Sequence, residues 1–361
     1  MVWLLTLFYF AIIKPAGSDF IISRHFKNMK GYPLTFSSVS FIFSIFVLFI
    51  SCEKNTVTNG SNGGSNPDMQ VIKNVTYGSN KDLSGKTVNL ALDIYMPQGA
   101  ASAQKFPFIL FVHGGGFIAG DKGSAAAVME KFVKAGYVAA SIDYRLDSSL
   151  DGVKDACNID SSVMQKAVYM AVQDTKAAMR FMVANADKYH IDVSKIFLNG
   201  NSAGAITVLY SHFLTQDDFN ERMPGVEAEL GGINNSGNSL TNTFNIIGMA
   251  ANSGCLPGIQ YIKPSNAIPV IFFHGGKDSV IPVIHGTANY CPGAMDVFGS
   301  MAMYNRLSEL GEPAVIHIDP EGGHGPYDED FLTNNEVCFL NSVLGKKAAS
   351  GIYSGQQSSC P

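Results

Sequence analysis

The sequence has little charge, one tryptophan and no run of basic residues. Asp, Glu, Lys and Arg make up 15% of its 361 residues, and the net charge is −5. A chain without a basic stripe is not expected to bind nucleic acid. The six cysteines do not show the spacing of a metal site, so neither a metal nor another cofactor is expected. No internal repeat is visible.

Hydrophobic residues and glycine are abundant instead. Hydrophobic residues account for 46% of the chain, and 36 of its residues are glycine. This length and composition suffice for a full hydrophobic core and favour a loop-rich α/β protein. One domain, over residues 68–361, accounts for the regular pattern.

The first 52 residues have the layout of an export signal. Two apolar stretches lie at residues 2–13 and 34–50, and only the second approaches the length of a membrane span. It follows Met29 and Lys30 and ends at Ser51 and Cys52. A basic start, an apolar centre and a small residue before the cleavage point are typical of a secretory signal.

The Ser51-Cys52 pair resembles a bacterial lipoprotein signal, which implies that Cys52 becomes a lipidated N-terminus. We then expect Met29 to be the true start and residues 1–28 to be an upstream extension. Residues 53–67, rich in Asn, Gly and Ser, are expected to form a flexible tether. The predicted location is the cell envelope, at the outer membrane, or otherwise the periplasm or the medium. The alternative is a signal anchor in which Cys52 has no role.

From residue 69 the sequence predicts a hairpin and then strands alternating with helices. The hairpin strands are predicted at 69–77 and 88–96. Further strands are predicted at 106–113, 137–142, 196–198, 230–234, 270–274 and 314–318, and helices at 123–135, 163–186, 296–310, 334–344 and from residue 203. This alternation predicts an α/β fold with a mostly parallel central sheet and helices on both faces. Its active site should lie at the carboxyl ends of the strands.

The chain from Ile196 to Ala205 reads as a buried strand, a glycine-flanked turn and the start of a helix. Within it, Gly200-Asn201-Ser202-Ala203-Gly204 fits the G-x-S-x-G nucleophile elbow, whose sharp turn exposes the serine hydroxyl. The pattern alone is weak, because serine in a glycine turn is common.

A second glycine-rich turn strengthens this interpretation. His113-Gly114-Gly115-Gly116-Phe117 follows a predicted strand. Consecutive glycines leave backbone N–H groups unobstructed, as an oxyanion hole requires. We therefore predict that Gly115 or Gly116 acts together with the N–H of Ala203.

His324 and Asp278 are the candidate base and acid. Each follows a predicted strand within a glycine-rich turn, so His324 can serve as general base toward Ser202 while Asp278 orients it. The other nearby carboxylates are those of Asp296, Asp319 and Asp328; Asp278 is preferred because a βα loop presents it and a glycine pair precedes it. His113, His190 and His274 are interpreted as structural, with His113 orienting the glycine loop.

These motifs together resemble the α/β-hydrolase esterases, closest to the hormone-sensitive-lipase-like and carboxylesterase-like branches. The resemblance rests on HGGGF, the Asp-Tyr-Arg-Leu segment from Asp143, GNSAG, HGGKD and GGHG, and covers about residues 93–344. It implies an α/β-hydrolase fold with a Ser202–Asp278–His324 triad. Asp147 and Ser148 stand where those relatives have Ala-Pro, and the domain opens directly with the predicted hairpin where they have a helical N-terminal cap. The substrate pocket is therefore not implied by the resemblance.

Other polar positions have expected roles of a simpler kind. Asp143 and Arg145 are expected to brace loops, and residues 147–162 and 237–264 are expected to form the pocket walls, since each is a long polar connection. In an exported chain some cysteines should pair, and Cys255 with Cys291 is the predicted bridge.

The predicted function is that of a carboxylesterase-type serine hydrolase acting through an acyl-enzyme on short-acyl or aromatic esters. Acetyl or feruloyl groups on polysaccharides are attractive substrates for a surface lipoprotein. The alternatives are a serine peptidase of the same fold, which would ordinarily carry a large extra domain, and a binding lipoprotein without catalysis. The partners expected are an ester substrate and, through the lipid, a membrane; the oligomeric state is not predicted.

Overall fold

The structure, a computed structural model, describes residues 69–147, 149 and 155–360. The predicted signal segment with Cys52 and the linker 53–67 lie outside the described residues. They therefore remain predictions, as does part of the proposed pocket wall at 147–162.

Twelve strands occur in the described residues. They are β1 (Met69–Lys81), β2 (Thr87–Pro97), β3 (Phe106–Val112), β4 (Val138–Ile142), β5 (Ile191–Asn201), β6 (Ile246–Asn252), β7 (Cys255–Leu256), β8 (Val270–Gly275), β9 (His285–Thr287), β10 (Asp296–Gly299), β11 (Ala314–Asp319) and β12 (Gly351–Ser354).

Seven α-helices connect these strands in the same part of the chain. They are α1 (Ala126–Lys134), α2 (Ser161–Ala184), α3 (Ala203–Phe213), α4 (Gln216–Arg222), α5 (Val226–Leu230), α6 (Ser300–Glu309) and α7 (Glu329–Leu344). Within the ranges described, none of them combines the length and apolarity needed to cross a membrane.

Nine of the strands form one twisted sheet in the order β1-β2-β4-β3-β5-β6-β8-β11-β12. The first hairpin is antiparallel and joins β4 in antiparallel register. From β4 to β12 every neighbouring pair is parallel. Strands such as β4 and β8 are buried along their whole length, as expected of a parallel sheet covered on both faces. The predicted α/β fold is confirmed.

Two hydrophobic clusters cover the two faces of this sheet. One packs side chains of α2, α3 and α6 against the strands, and the other packs α1 and α7. The helices thus form two outer layers, and the carboxyl ends of β3, β5, β8 and β11 meet at one edge. That edge carries all the turns singled out by the sequence motifs.

Two predicted elements differ in the structure. Residues 230–234 do not form a strand, because α5 ends at Leu230 and turns follow; the strand beside β5 is β6. The predicted helix 296–310 begins only at Ser300. Its first four residues, from Asp296 to Gly299, form β10, because they pair with β7 and β9 in a small separate sheet.

Candidate active site

Ser202 lies between β5 and α3 in a strained backbone conformation. Its φ of 53° and ψ of −117° are unusual for a residue with a side chain. The turn is closed so tightly that a Cβ on Gly204 would lie 1.9 Å from the carbonyl oxygen of Val112. A Cβ on Gly200 would meet the backbone of Gly204 at 2.4 Å. The two glycines are therefore required for the elbow.

A continuous hydrogen-bonded line runs from Ser202 to His324 and Asp278. The Oγ of Ser202 lies 2.7 Å from Nε2 of His324, and Nδ1 of His324 lies 2.8 Å from Oδ2 of Asp278. A carboxylate only accepts hydrogen bonds, so Nδ1 carries the proton and Nε2 is free to accept one from Ser202. The structure thus brings together the three residues singled out in the sequence.

The alternative carboxylates face other partners. Asp296 contacts the imidazole of His285 on the small sheet, and Asp328 caps the first turn of α7 through the N–H of Phe331. Asp319 accepts a hydrogen bond from the N–H of Glu321 in its own turn. His190 lies elsewhere, beside the carbonyl of Gln104.

Asp278 is buried, and its carboxylate accepts several hydrogen bonds. Burial alone would raise the pKa of this carboxyl. Hydrogen bonds from His274 and His324, and from the N–H groups of Ile281 and Val280, outweigh burial and hold the pKa well below its usual range. Asp278 is therefore ionised at neutral pH and can stabilise a protonated His324.

Two supporting residues were not recognised as such in the sequence. His274 places Nε2 3.0 Å from the carbonyl of Ile281 and 3.3 Å from Oδ2 of Asp278, so Nε2 carries a proton directed toward both. Ser253 accepts a hydrogen bond from the N–H of Gly325 at 3.2 Å and thereby holds the loop of His324. The HGGKD motif contained His274, but no local pattern indicated Ser253.

The glycine loop lies against the elbow. Gly115, with φ of 111°, turns the chain so sharply that a Cβ would lie 2.0 Å from the carbonyl of Ala119. Gly116 lines the same cavity as Ser202 and Ala203. The N–H of Ala203, the first of α3, has no acceptor within its helix. The loop and the helix start therefore both face the space beside Ser202.

His113 braces this loop rather than facing the substrate. Its Nδ1 lies 2.7 Å from the carbonyl of Gly114, and its ring stacks on Tyr144 at 4.4 Å. Burial lowers the pKa of His113, a tendency that its hydrogen bond to Gly114 opposes. A neutral imidazole donating to Gly114 fits the orienting role predicted for it.

Asp143 and Arg145 also have structural contacts. Asp143 accepts hydrogen bonds from the backbone and side chain of Lys122. Arg145, 1% exposed, pairs with the buried Asp174 at 2.8 Å and donates to Gln173. Buried ion pairs of this kind need such additional hydrogen bonds. These contacts agree with the bracing roles expected from the sequence.

An apolar cavity of about 200 Å³ opens beside Ser202. Its lining includes the following side chains: Phe117, Ile118, Ile159, Met164, Ile206, Cys255, Val280, Ile281, Met295 and Val297. The first predicted wall, 147–162, contributes Ile159 and Ser161. The second, 237–264, contributes Cys255 alone, and the segment after Asp278 takes its place. We refer to this space as the apolar cavity.

A second cavity of about 190 Å³ lies behind the elbow, lined by residues of α1, α7 and the strand ends. Its lining includes the buried Glu336, which accepts a hydrogen bond of 2.9 Å from Asn199. Burial raises the pKa of Glu336 from its ordinary 4.5 to about 7, although the bond from Asn199 lowers it. We refer to this space as the Glu336 cavity.

The predicted Cys255–Cys291 bridge is wrong. Cys291 pairs with Cys157, with Cα atoms 5.1 Å apart, and Cys338 pairs with Cys360. Cys255 is a free buried thiol; it sits in β7 facing the apolar cavity, and burial raises its pKa to about 12. Flanking the same strand in sequence does not bring two cysteines within bonding distance.

Comparison with known proteins agrees with this geometry. Residues 92–247 match the family model described as BD-FAE. The match contains the glycine loop and Ser202 but ends before Asp278 and His324. The match therefore covers the part of the sheet that carries the nucleophile, in a chain that has the α/β-hydrolase fold.

Individual relatives carry esterase names. The chain is 28% identical over 125 residues to an acetyl esterase of Salmonella schwarzengrund, covering 34% of this chain and 32% of that one. It is 30% identical over 158 residues to the probable carboxylesterase 13 of Arabidopsis thaliana, covering 39% and 41%. The chain thus spans less than half the length of the curated relatives it matches.

Among solved structures, the chain resembles a truncated form of a carbohydrate esterase from gut microbiota. The TM-score is 0.54 at 21% sequence identity, over 78% of this chain and 99% of that one. This likeness shows the shared α/β-hydrolase fold.

Proposed function

We propose that this protein is a serine hydrolase of carboxylic esters. The observation that carries the proposal is the line from Ser202 Oγ to His324 Nε2, at 2.7 Å, and on to Asp278, at 2.8 Å. A nucleophile, a base and a group that orients the base are thereby in hydrogen-bond reach of one another. The names of the matched relatives support an ester as the substrate.

The reaction follows from the positions of these groups. Ser202 Oγ attacks the ester carbonyl carbon as its proton passes to Nε2 of His324, and Asp278 stabilises the resulting imidazolium. The carbonyl oxygen becomes anionic beside the N–H groups of Ala203 and of the glycine loop. His324 then protonates the leaving alcohol, and the acyl group stays on Ser202. Water, deprotonated by His324, releases the acid and restores the serine.

The apolar cavity indicates the kind of group that the ester carries. Its volume of about 200 Å³ is below the ~300 Å³ at which sites for drug-sized ligands begin. It therefore suits one short acyl chain or one aromatic group, not a long lipid. Acetyl or feruloyl groups on a polysaccharide fit this limit, and the carbohydrate esterase of the same fold makes them reasonable first substrates.

The test is hydrolysis of p-nitrophenyl acetate, butyrate and octanoate by the full chain and by Ser202→Ala. The wild type should turn over the shorter esters, and the variant should lose about 10⁶-fold in kcat, because no nucleophile remains. Unfolding curves of both proteins serve as the control for folding. A variant that keeps wild-type turnover would contradict the proposal, and a folded wild type inactive on every ester would favour a peptidase or a binding protein.

We also propose that the protein is exported and anchored to a membrane by a lipid on Cys52. The signal-like layout of residues 29–52 and the tether at 53–67 support this. The two disulfides are consistent with an oxidising compartment. Bacterial expression of the full chain with a radiolabelled fatty acid should label the wild type and not Cys52→Ala. Equal labelling of both proteins, or none of the wild type, would refute the anchor.

A further inference from the structure

The apolar cavity has two walls that come from distant parts of the chain. One is residues 155–164, which lead into α2 and which we call the entry segment. The other is residues 288–295, the loop joining β9 to β10, which we call the hairpin loop. The entry segment contributes Ile159, Ser161 and Met164, and the hairpin loop contributes Ala288, Asn289, Ala294 and Met295.

The hairpin loop is held mainly by contacts within itself. Ala288 and Met295 pair through a backbone hydrogen bond of 2.9 Å, and Cys291 donates to the carbonyl of Ala288 at 3.2 Å. Its bond to the rest of the cavity is that from the N–H of Asn289 to the carbonyl of Val280, at 2.7 Å. The hydrogen bonds of the hairpin loop therefore do little to fix its distance from the entry segment.

The Cys157–Cys291 disulfide joins the two walls directly. Cys157 lies two residues before Ile159, and Cys291 lies two residues after Asn289, so each half-cystine is close in sequence to a residue that lines the cavity. Among the described residues, no hydrogen bond connects the entry segment with the hairpin loop. The disulfide, which spans 134 residues of sequence, is thus a direct covalent bond between these two walls.

We infer that the Cys157–Cys291 disulfide determines substrate specificity by fixing the size of the apolar cavity. The inference rests on the proposed esterase function and deepens it. With the disulfide intact, the cavity accepts a short acyl chain snugly and excludes a longer one. Without it the hairpin loop can move away from the entry segment, so contacts with the short chain weaken and the longer chain gains room. An acetyl group stays close to Ser202, so hydrolysis of the acetate should not depend on the disulfide.

The experiment compares two variants of the full chain, each of which lacks one of these two disulfides. Cys157→Ala/Cys291→Ala should lower the ratio of kcat/KM for p-nitrophenyl butyrate to that for the octanoate by about tenfold, the order of effect of a methylene-sized misfit. Its kcat/KM for the acetate should stay within about twofold, because the chemistry at Ser202 is unchanged. Cys338→Ala/Cys360→Ala removes a disulfide remote from the cavity and should keep the wild-type ratio.

A second measurement covers the case in which the first variant does not fold. In Cys338→Ala/Cys360→Ala, Cys157–Cys291 is the disulfide left among the residues that the structure describes. The exposed Cys157 makes it accessible to a phosphine reductant. Reduction of the folded protein should produce the same fall in the ratio, and reoxidation should reverse it. Acetate turnover with an unchanged ratio, in either experiment, would overturn the specificity role of the disulfide alone. Absence of turnover of all three esters by the wild type would overturn the esterase function and this role of the disulfide together.

Discussion

Two buried carboxylates flank the nucleophile elbow, and they are in opposite electrostatic situations. Asp278 is 2% exposed and Glu336 is 3% exposed. Asp278 is met by the N–H groups of Val280 and Ile281 and by two imidazoles, and its pKa is held low. Within the described part of the chain, Glu336 receives one hydrogen bond, from Asn199, and burial raises its pKa to about 7. At neutral pH, equal burial is thus compatible with a charged Asp278 and with a Glu336 that is near its titration midpoint.

The difference lies in the number of hydrogen-bond donors that each environment supplies to the carboxylate. Val280 and Ile281 line the apolar cavity, and their N–H groups donate hydrogen bonds to Asp278. The turn after β8 therefore builds a substrate wall and a triad member at once. The Glu336 cavity has no such coupling to Ser202, since its carboxylate contacts β5 three residues before the nucleophile. We expect the chemistry to depend on the first carboxylate and the stability to depend on the second.

Replacing Asp278 by Asn gives the largest effect that tests this comparison. The amide can no longer hold the tautomer of His324 that accepts a proton from Ser202, nor stabilise the imidazolium. The expected loss is about 10⁴-fold in kcat for p-nitrophenyl acetate, with KM little changed. Glu336→Gln is the matched control, because it also converts a buried carboxyl to an amide, and it should change kcat by less than about twofold. Similar losses of kcat in the two variants would contradict the expectation that the chemistry depends on Asp278 and not on Glu336.

Filling the apolar cavity should have an intermediate effect. Ile206 lies one turn after Ser202 on α3 and lines the cavity. In Ile206→Phe the larger ring should occupy acyl space and lower kcat/KM for the butyrate by about 10–100-fold, while the acetate changes by less than about threefold. Overpacking should cost about 1–3 kcal/mol of stability.

Steady-state kinetics with the three esters measure this effect, and thermal unfolding checks that the variant is folded. Parallel losses for acetate and butyrate would show that the acyl group does not lie in this cavity. Filling the Glu336 cavity instead, for example by Val128→Phe on α1, should leave the chain-length preference unaltered.

The catalytic frame could be predicted from the sequence because each of its parts is local. Ser202, Asp278 and His324 each follow an apolar strand within a glycine turn, and parallel strands bring their carboxyl ends to one edge. The fold class followed from the same alternation of strands and helices.

The substrate walls could not be predicted in this way. Cys157 and Cys291 are 134 residues apart, and nothing near either residue indicates its partner. Strands β7 and β9 have two and three residues, too few to show a period. Asp296 to Gly299 continue without a break into a helix, so their pairing in the small sheet leaves no local mark.

Glu336 likewise looked like an ordinary residue of a helix, and its role is measurable through stability alone. Its pKa is about 7 in the folded protein and near 4.5 when unfolded, so the folded state binds more protons between these values. Stability should therefore fall as pH rises from about 4.5 to about 7 and level off above. The full difference corresponds to about 3 kcal/mol.

Glu336→Gln should remove this dependence, because the neutral amide can still accept the hydrogen bond of Asn199. Relative to wild type, the variant should gain stability at pH 8 and show little difference at pH 4.5. Chemical denaturation at both values measures the change, and Glu321→Gln, on an exposed turn, controls for the loss of one negative charge. A difference between Glu336→Gln and wild type that is the same at both pH values would mean that Glu336 ionises as it does in water. The contrast between the two buried carboxylates would then be one of position only, because Glu336 would carry its charge at neutral pH just as Asp278 does.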